Sequence, residues 1–357
     1  MTPSPTPADP ERVAAQAAPE RGRTPIWLAA IVPVVSLLIL TGVRIARQPK
    51  LNFDENIFLD VGRHIVDTGL PWRTWAFPEP RLFFDHTPLY VYFVAAVTAL
   101  GGPTVILLRS ATLLFGCLTV LLVFKIGLEL RGVGGALVGS MLVALNPFFA
   151  THSWFIRMEV PLCFFVVLAL YLLIHERWLL SGVAIAIAVM LKEIAFAFWL
   201  VALVYAVWRG RWRAGAAVGI PALLAFAVWV GYAASIGYGQ LVATMSRWFG
   251  SAAGTDLPDK RLRVGPLAWA KSIVGVVIGP LMIFAAGAAA ALAATMRSRT
   301  PPIVAVPIAY VVIAVAASFV IRLKEPRFLI AVIPMSAVAI ALLVDWDHAW
   351  AQFRRRT

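Results

Sequence analysis

Residues His86–Leu100, HTPLYVYFVAAVTAL, decide how this chain is threaded: whether the run crosses a membrane fixes the sidedness of everything after it. At about 15 residues it falls short of the roughly 20 that a straight helical crossing needs. The surrounding charges decide. With this run on the outer surface and the N-terminus inside, Lys125 with Arg131, Arg177, Arg209 with Arg211 and Arg213, Arg297 with Arg299, and Arg354 to Arg356 all face the cytoplasm. Every short inner loop then obeys the positive-inside rule. A crossing here would send Arg209 to Arg213 outside, so the segment is expected as a juxtamembrane helix.

The rest of the chain is built of longer apolar runs. Its 357 residues are 61% hydrophobic and 14% charged, with mean hydropathy +0.84, where a soluble domain would carry roughly a quarter charged residues. Spans are expected at 26–43, 105–126, 134–150, 159–174, 179–191, 194–208, 214–235, 266–294, 302–321 and 328–344. The reading is therefore all-α: a polytopic membrane helical bundle of about ten crossings, within a range of about nine to twelve, both termini inside. Residues 1–25 read as a disordered cytoplasmic tail, 26–344 as the transmembrane domain, and 345–357 as a basic cytoplasmic tail. The net charge of +13 does not point to nucleic acid, because Lys and Arg are scattered between apolar spans and form no single stripe. Cys117 and Cys163 lie inside apolar runs with no CxxC or His cluster, and read as small buried hydrophobes.

This topology gives the outer face two large loops, 44–104 and 236–265, with shorter ones at 151–158, around 192–193 and at 322–327. The basic residues that break positive-inside gather there: Arg44, Arg47, Lys50, Arg63, Arg73, Arg81, Arg247, Lys260, Arg261, Arg263, Arg322, Lys324 and Arg327. So basic an outer face expects anionic ligands, lipid phosphates first. In the first loop Phe53, Ile57, Val61 and Ile65 recur every four residues opposite polar positions until Gly69-Leu70-Pro71, which predicts an amphipathic interfacial helix. Asn52 with Glu55 fits a capping box, so Glu55 is read equally as a cap and as a chemical group. Asp54 is left free in the first turn, where the helix dipole favours its ionised form. Asp85-His86-Thr87-Pro88 closes the loop with an acid and an imidazole, and on its own reads as a turn with Asp85 capping the next helix. Arg157-Met158-Glu159 places a cation and an acid at the start of another span.

Phe53-Asp54-Glu55, Asp85-His86-Thr87-Pro88-Leu89, Leu108-Arg109-Ser110-Ala111 to Gly116, Asn146-Pro147, Arg157-Met158-Glu159, Leu191-Lys192-Glu193 and Arg327-Phe328-Leu329 with Ile333-Pro334 occur in one order on one side. In this the chain resembles the GT-C integral-membrane glycosyltransferases, in the branch of the protein O-mannosyltransferases and the aminoarabinose transferase of lipid A. The resemblance implies transfer of a sugar from a polyprenyl-phosphate donor to a lipid, glycan or protein acceptor, with inversion, on the non-cytoplasmic face. The setting expected is multi-pass in a bacterial inner membrane, among membrane lipids. Asp54 matches the family's general base and Glu159 its second acid, with Glu55 beside them as a third catalytic candidate. Asp85, His86, Arg157, Lys192, Arg322, Lys324 and Arg327 are the expected substrate-binding groups. The motifs name no certain cofactor; a divalent metal ion is the one candidate, with Asp85 and His86 as its ligands. Thr87 replaces the first proline of the usual pair and His86 replaces a Lys, so phosphate contact there depends on protonation. The competing reading is a transporter or flippase for a lipid-linked or anionic substrate. Transporters place such charges near mid-membrane and carry internal repeats, neither of which this sequence has. A non-catalytic assembly subunit would leave the common side of Asp54, Asp85 and Glu159 without a reason.

Overall fold

The computed structural model describes residues 26–45, 50–75, 79–209, 211–253, 265–296, 301–320 and 326–356. Helix α1 is Ile26–Ile45, α2 Phe53–Thr68, α3 Leu89–Gly101, α4 Val105–Ala144 and α5 Pro147–His152. They are followed by α6 Glu159–Ile174, α7 Trp178–Leu191, α8 Phe196–Trp208 and α9 Trp212–Ala253. The chain continues through α10 Pro266–Ser272, a π-helical turn Ile273–Ile278, α11 Gly279–Met296, α12 Ala305–Val320, α13 Val332–Leu343 and α14 Trp346–Arg356. The apolar runs expected from the sequence fall on helices, 134–150 with a break at Leu145-Asn146, and among the described residues six helical stretches are long and apolar enough to cross a membrane. This is an all-α membrane protein.

Two features of the bundle follow from glycine. Within α4 the chain turns back at Gly132, whose φ of +70° lies in the left-handed region that a side chain disfavours. The arms then lie so close that a Cβ on Gly127 would sit 2.7 Å from the backbone of Ala136. Thus α4 is a helical hairpin, with span 105–126 in its first arm and span 134–150 running from its second arm, which ends at Ala144, across Asn146 into α5. Gly182 of α7 likewise meets the backbone of Ala217 in α9, the close approach that small residues permit where lipid gives no hydrophobic drive between helices. Around these contacts α4, α6, α7, α8, α9 and α13 form one continuous apolar core.

The segment that decided the threading, α3, packs not into this core but onto α2, burying Tyr90, Val91, Val94 and Ala95 against Ile57, Phe58, Val61 and Ile65. Its 13 residues span about 20 Å at 1.5 Å per residue, a length shared by α8, so its packing onto α2 and not its length sets it apart. The α2 cap forms as the sequence predicts: Asn52 and Glu55 exchange bonds of 3.0 Å, and Gly69 closes the helix at φ +77°.

Three expectations change. The first loop is not purely helical, since Trp72–Arg73 and Arg81–Leu82 pair as a two-stranded antiparallel ribbon. Residues 236–253, expected as loop, continue α9 beyond a break at Gly237, because the ribbon seats there. Leu82 and Phe84 close over Gly237, and Gln240 Oε1 accepts the Leu82 amide at 2.7 Å. Asp85 does not cap α3, whose N-cap Pro88 has no side-chain bond; two arginines hold Asp85 instead.

Candidate active site

The end of the bundle that carries α2 and the ribbon gathers most of the singled-out charges. Asp54 sits in the first turn of α2, partly exposed. Its Oδ2 accepts from Arg157 Nη2 at 2.9 Å and pairs with Arg327 Nη1. Arg157 comes from the loop before α6 and Arg327 from the turn before α13, so three distant stretches meet at one carboxylate. Glu159, at the first position of α6, is 2% exposed and takes Lys192 Nζ at 2.7 Å on Oε1. Arg327 Nε lies 4.0 Å from the same oxygen, joining the two acids into one network. Lys192 ends α7 in extended backbone and points its ammonium at the Phe328 ring, 4.5 Å away.

Glu55 belongs to the frame of this site. It is wholly buried and both its oxygens are filled: Oε1 accepts from Arg109 Nε and Ile156 N, Oε2 from Arg109 Nη2 and Asn52 N. A carboxylate so engaged has no edge left for substrate, so of the two readings of Glu55 the structure carries the cap. The expectation missed Arg109 as its partner; the signal present was a single cation inside an apolar span, which needs a partner in the bundle.

Asp85 and His86 pair with residues other than those around Asp54. Asp85 Oδ2 takes Arg73 Nη1 at 2.9 Å and Arg81 Nη2 at 3.2 Å, tying the ribbon to the start of α3. Two guanidiniums on one carboxylate oppose a cation there, so these residues do not fit the metal pair the sequence suggested. His86 Nδ1 is 3.3 Å from Glu193 Oε1. Arg322 and Lys324 lie outside the described residues. Lys192, expected to meet a phosphate, is bound to Glu159 instead.

Hydrogen-bonding capacity remains unused in this region. Arg157 Nε, Glu159 Oε2 and Glu193 Oε2 are buried without a partner among the described residues, and such groups cost free energy unless something completes them. Beside Glu193 opens an apolar cavity of about 260 Å³ lined by Phe196, Trp269, Tyr310, Ser318 and Phe328. His152, at the end of α5, is buried next to Arg157.

Residues 85–236 match the dolichyl-phosphate-mannose-protein mannosyltransferase family. In structure the chain is similar to ArnT from Cupriavidus metallidurans bound to undecaprenyl phosphate, with TM-score 0.68 and 16% identity over 91% of this chain and 62% of that one. It is also similar to the oligosaccharyltransferase AglB from Archaeoglobus fulgidus in complex with an inhibitory peptide and a dolichol-phosphate, with TM-score 0.53 and 16% identity over 93% of this chain and 52% of that one. The chain therefore spans about three fifths of the first structure and half of the second. No curated protein sequence matches it. The GT-C fold expected from the sequence is the fold observed.

Proposed function

We propose that the protein is a membrane glycosyltransferase that moves a sugar from a polyprenyl-phosphate donor to a lipid, glycan or protein acceptor. The observation that carries this reading is the meeting of Asp54, Arg157, Glu159, Lys192 and Arg327 at one end of a GT-C bundle, with anion-binding cations around a single partly exposed carboxylate. Asp54 takes the proton of the acceptor hydroxyl, whose oxygen attacks the anomeric carbon from the face opposite the leaving group. The bond from that carbon to the phosphate oxygen breaks, and the configuration inverts. Negative charge grows on the departing phosphate, and Arg157 and Arg327 are aimed to offset it, the largest kind of contribution such a site makes. Glu159 holds Lys192 and reaches towards Arg327, which keeps the cations in place between turnovers. The apolar cavity by Glu193 suits the first isoprene units of the carrier.

The topology follows the charges: 44–104 and the stretch after Gly237 face outward, Arg209 to Arg213 face inward, and the chain crosses about ten times. In a bacterial inner membrane this puts the site on the outer face, where lipid-linked sugars are presented. A transporter is disfavoured because the charged cluster sits at one end of the bundle rather than along a path through its middle.

Mass spectrometry of envelope glycolipids, glycans and glycoproteins from cells with and without the chain tests the reading. Loss of one sugar modification is expected, with its lipid-linked precursor accumulating. Identical glycan profiles together with altered sidedness of a lipid-linked precursor would support the flippase instead.

A further inference from the structure

His152 is a buried titratable group to which the transfer chemistry above gives no part. It ends α5, a short helix fixed by Asn146, whose side chain accepts from the amides of Phe148 and Phe149 and donates to Val277 O. The imidazole lies against Phe148, with ring centroids 4.2 Å apart, and is 7% exposed. Its Nδ1 is 3.0 Å from the Phe148 carbonyl, and its Nε2 is 3.3 Å from Arg157 Nη1. A carbonyl oxygen can only accept and a guanidinium can only donate. The two partners together admit a single state, the neutral ring with its proton on Nδ1 and the Nε2 lone pair turned to Arg157. The other terminal nitrogen of that guanidinium, Nη2, is the one on Asp54.

We infer that His152 is a positioning residue which, as a neutral imidazole, accepts from Arg157 and so fixes the guanidinium that Asp54 and the carrier phosphate share. The inference rests on the proposed transfer reaction only for what Arg157 does next; the contact stands on its own. The charged groups facing the ring are Arg157 and Arg327, which oppose its protonation, and Glu159, which favours it. Burial is the largest influence and, with the two guanidiniums, pushes the ring down to about 4, so it is neutral at neutral pH. A proton on Nε2 would replace the acceptor with a donor facing a guanidinium, and Arg157 would lose that anchor.

Nitrogen-15 spectra of the full chain labelled at histidine, in detergent micelles, test the state directly, with His152→Gln identifying the resonances. The expected ring carries its proton on Nδ1 and titrates below about 5, against about 6.5 for a free side chain. Protonation on Nε2, or titration at the ordinary value, overturns the inference. Arg157→Gln removes an adjacent positive charge and should raise the midpoint by about half a unit or more; an unmoved midpoint contradicts the contact. Binding of undecaprenyl phosphate separates positioning from packing. His152→Phe fills the space without an acceptor and should weaken binding about tenfold, while His152→Gln, which keeps an oxygen for Arg157, should lose clearly less. Equal losses in folded variants would reduce His152 to packing. If the unmodified chain does not bind undecaprenyl phosphate, the carrier reading fails while the two spectroscopic results still decide the histidine.

Discussion

At one end of the bundle Glu159 and Lys192 meet at 2.7 Å with 2% and 1% of their side chains exposed; at the other, Glu176 and Arg211 pair with 48% and 46% exposed. The same contrast runs through the neighbours. Glu55 and Arg109 are shut inside the first end, whereas Lys125, Glu129 and His175 form an open chain at the second. Water and salt screen the open pairs, which are worth roughly 0–1 kcal/mol each. Burying ions costs several kcal/mol apiece, so the closed pairs persist only where the fold supplies partners. Charge of the same kind is therefore held in two ways: at the open end it meets solvent, and at the closed end it is buried against a cost, where the proposed carrier phosphate would meet it.

Substitutions at the two ends should differ accordingly. The largest effect is expected at the carboxylate proposed as the base. Asp54→Asn keeps the shape but cannot take a proton, and should lower transfer by about a hundredfold to ten-thousandfold with little change in thermal stability. Near-normal transfer in a purified assay would remove Asp54 from the chemistry. Next comes the frame. Arg109→Met leaves the buried Glu55 without its guanidinium and should cost about 3–5 kcal/mol of stability, read as a lowered unfolding midpoint in detergent. A midpoint unchanged in that variant would mean that the closed pairs are not under the strain their burial implies. Arg327→Gln removes a charged donor from Asp54 and a nearby positive charge from Glu159, and undecaprenyl phosphate binding should weaken by about 1.5–3 kcal/mol if the guanidinium also meets the phosphate. Calorimetric titration with the acceptor substrate should show no comparable loss. The smallest effect belongs to the open end, where Arg211→Ala should shift stability by less than about 1 kcal/mol and leave transfer intact. A larger loss there would blur the contrast between the ends.

Much of this was legible in the sequence, and the exceptions have physical reasons. The helices could be read because a membrane span is written in consecutive residues, and the α2 cap because Asn52 and Glu55 are three positions apart. The turn at Gly132 was legible as a gap between two spans, because Lys125, Glu129 and Arg131 interrupt the apolar run there. The ribbon was not legible: two residues per strand give no alternation to detect, and its anchoring to Gly237 and Gln240 joins positions over 150 residues apart. Of the site, Asp54, Arg157, Glu159, Lys192 and Arg327 were named from the sequence, and the structure brings them together. Which acid takes which cation was not foreseen. Arg157 pairs across the bundle with Asp54 rather than with Glu159 two positions away, because the start of α6 turns the two side chains to different neighbours. Asp85 and His86 share the motif but point to Arg73 and Glu193, and Arg109 and His152 become recognisable only once their partners are beside them.

The claim that the closed end is where the carrier binds can be tested by photo-crosslinking. Undecaprenyl phosphate bearing a photoreactive group next to the phosphate would be incubated with the protein in lipid nanodiscs, irradiated, and the labelled peptides mapped by mass spectrometry. The account predicts labels on peptides containing Asp54, Arg157 or Arg327, competed away by unmodified undecaprenyl phosphate. Competable labelling confined to peptides around Lys125, His175 or Arg211 would place the carrier at the open end and contradict it.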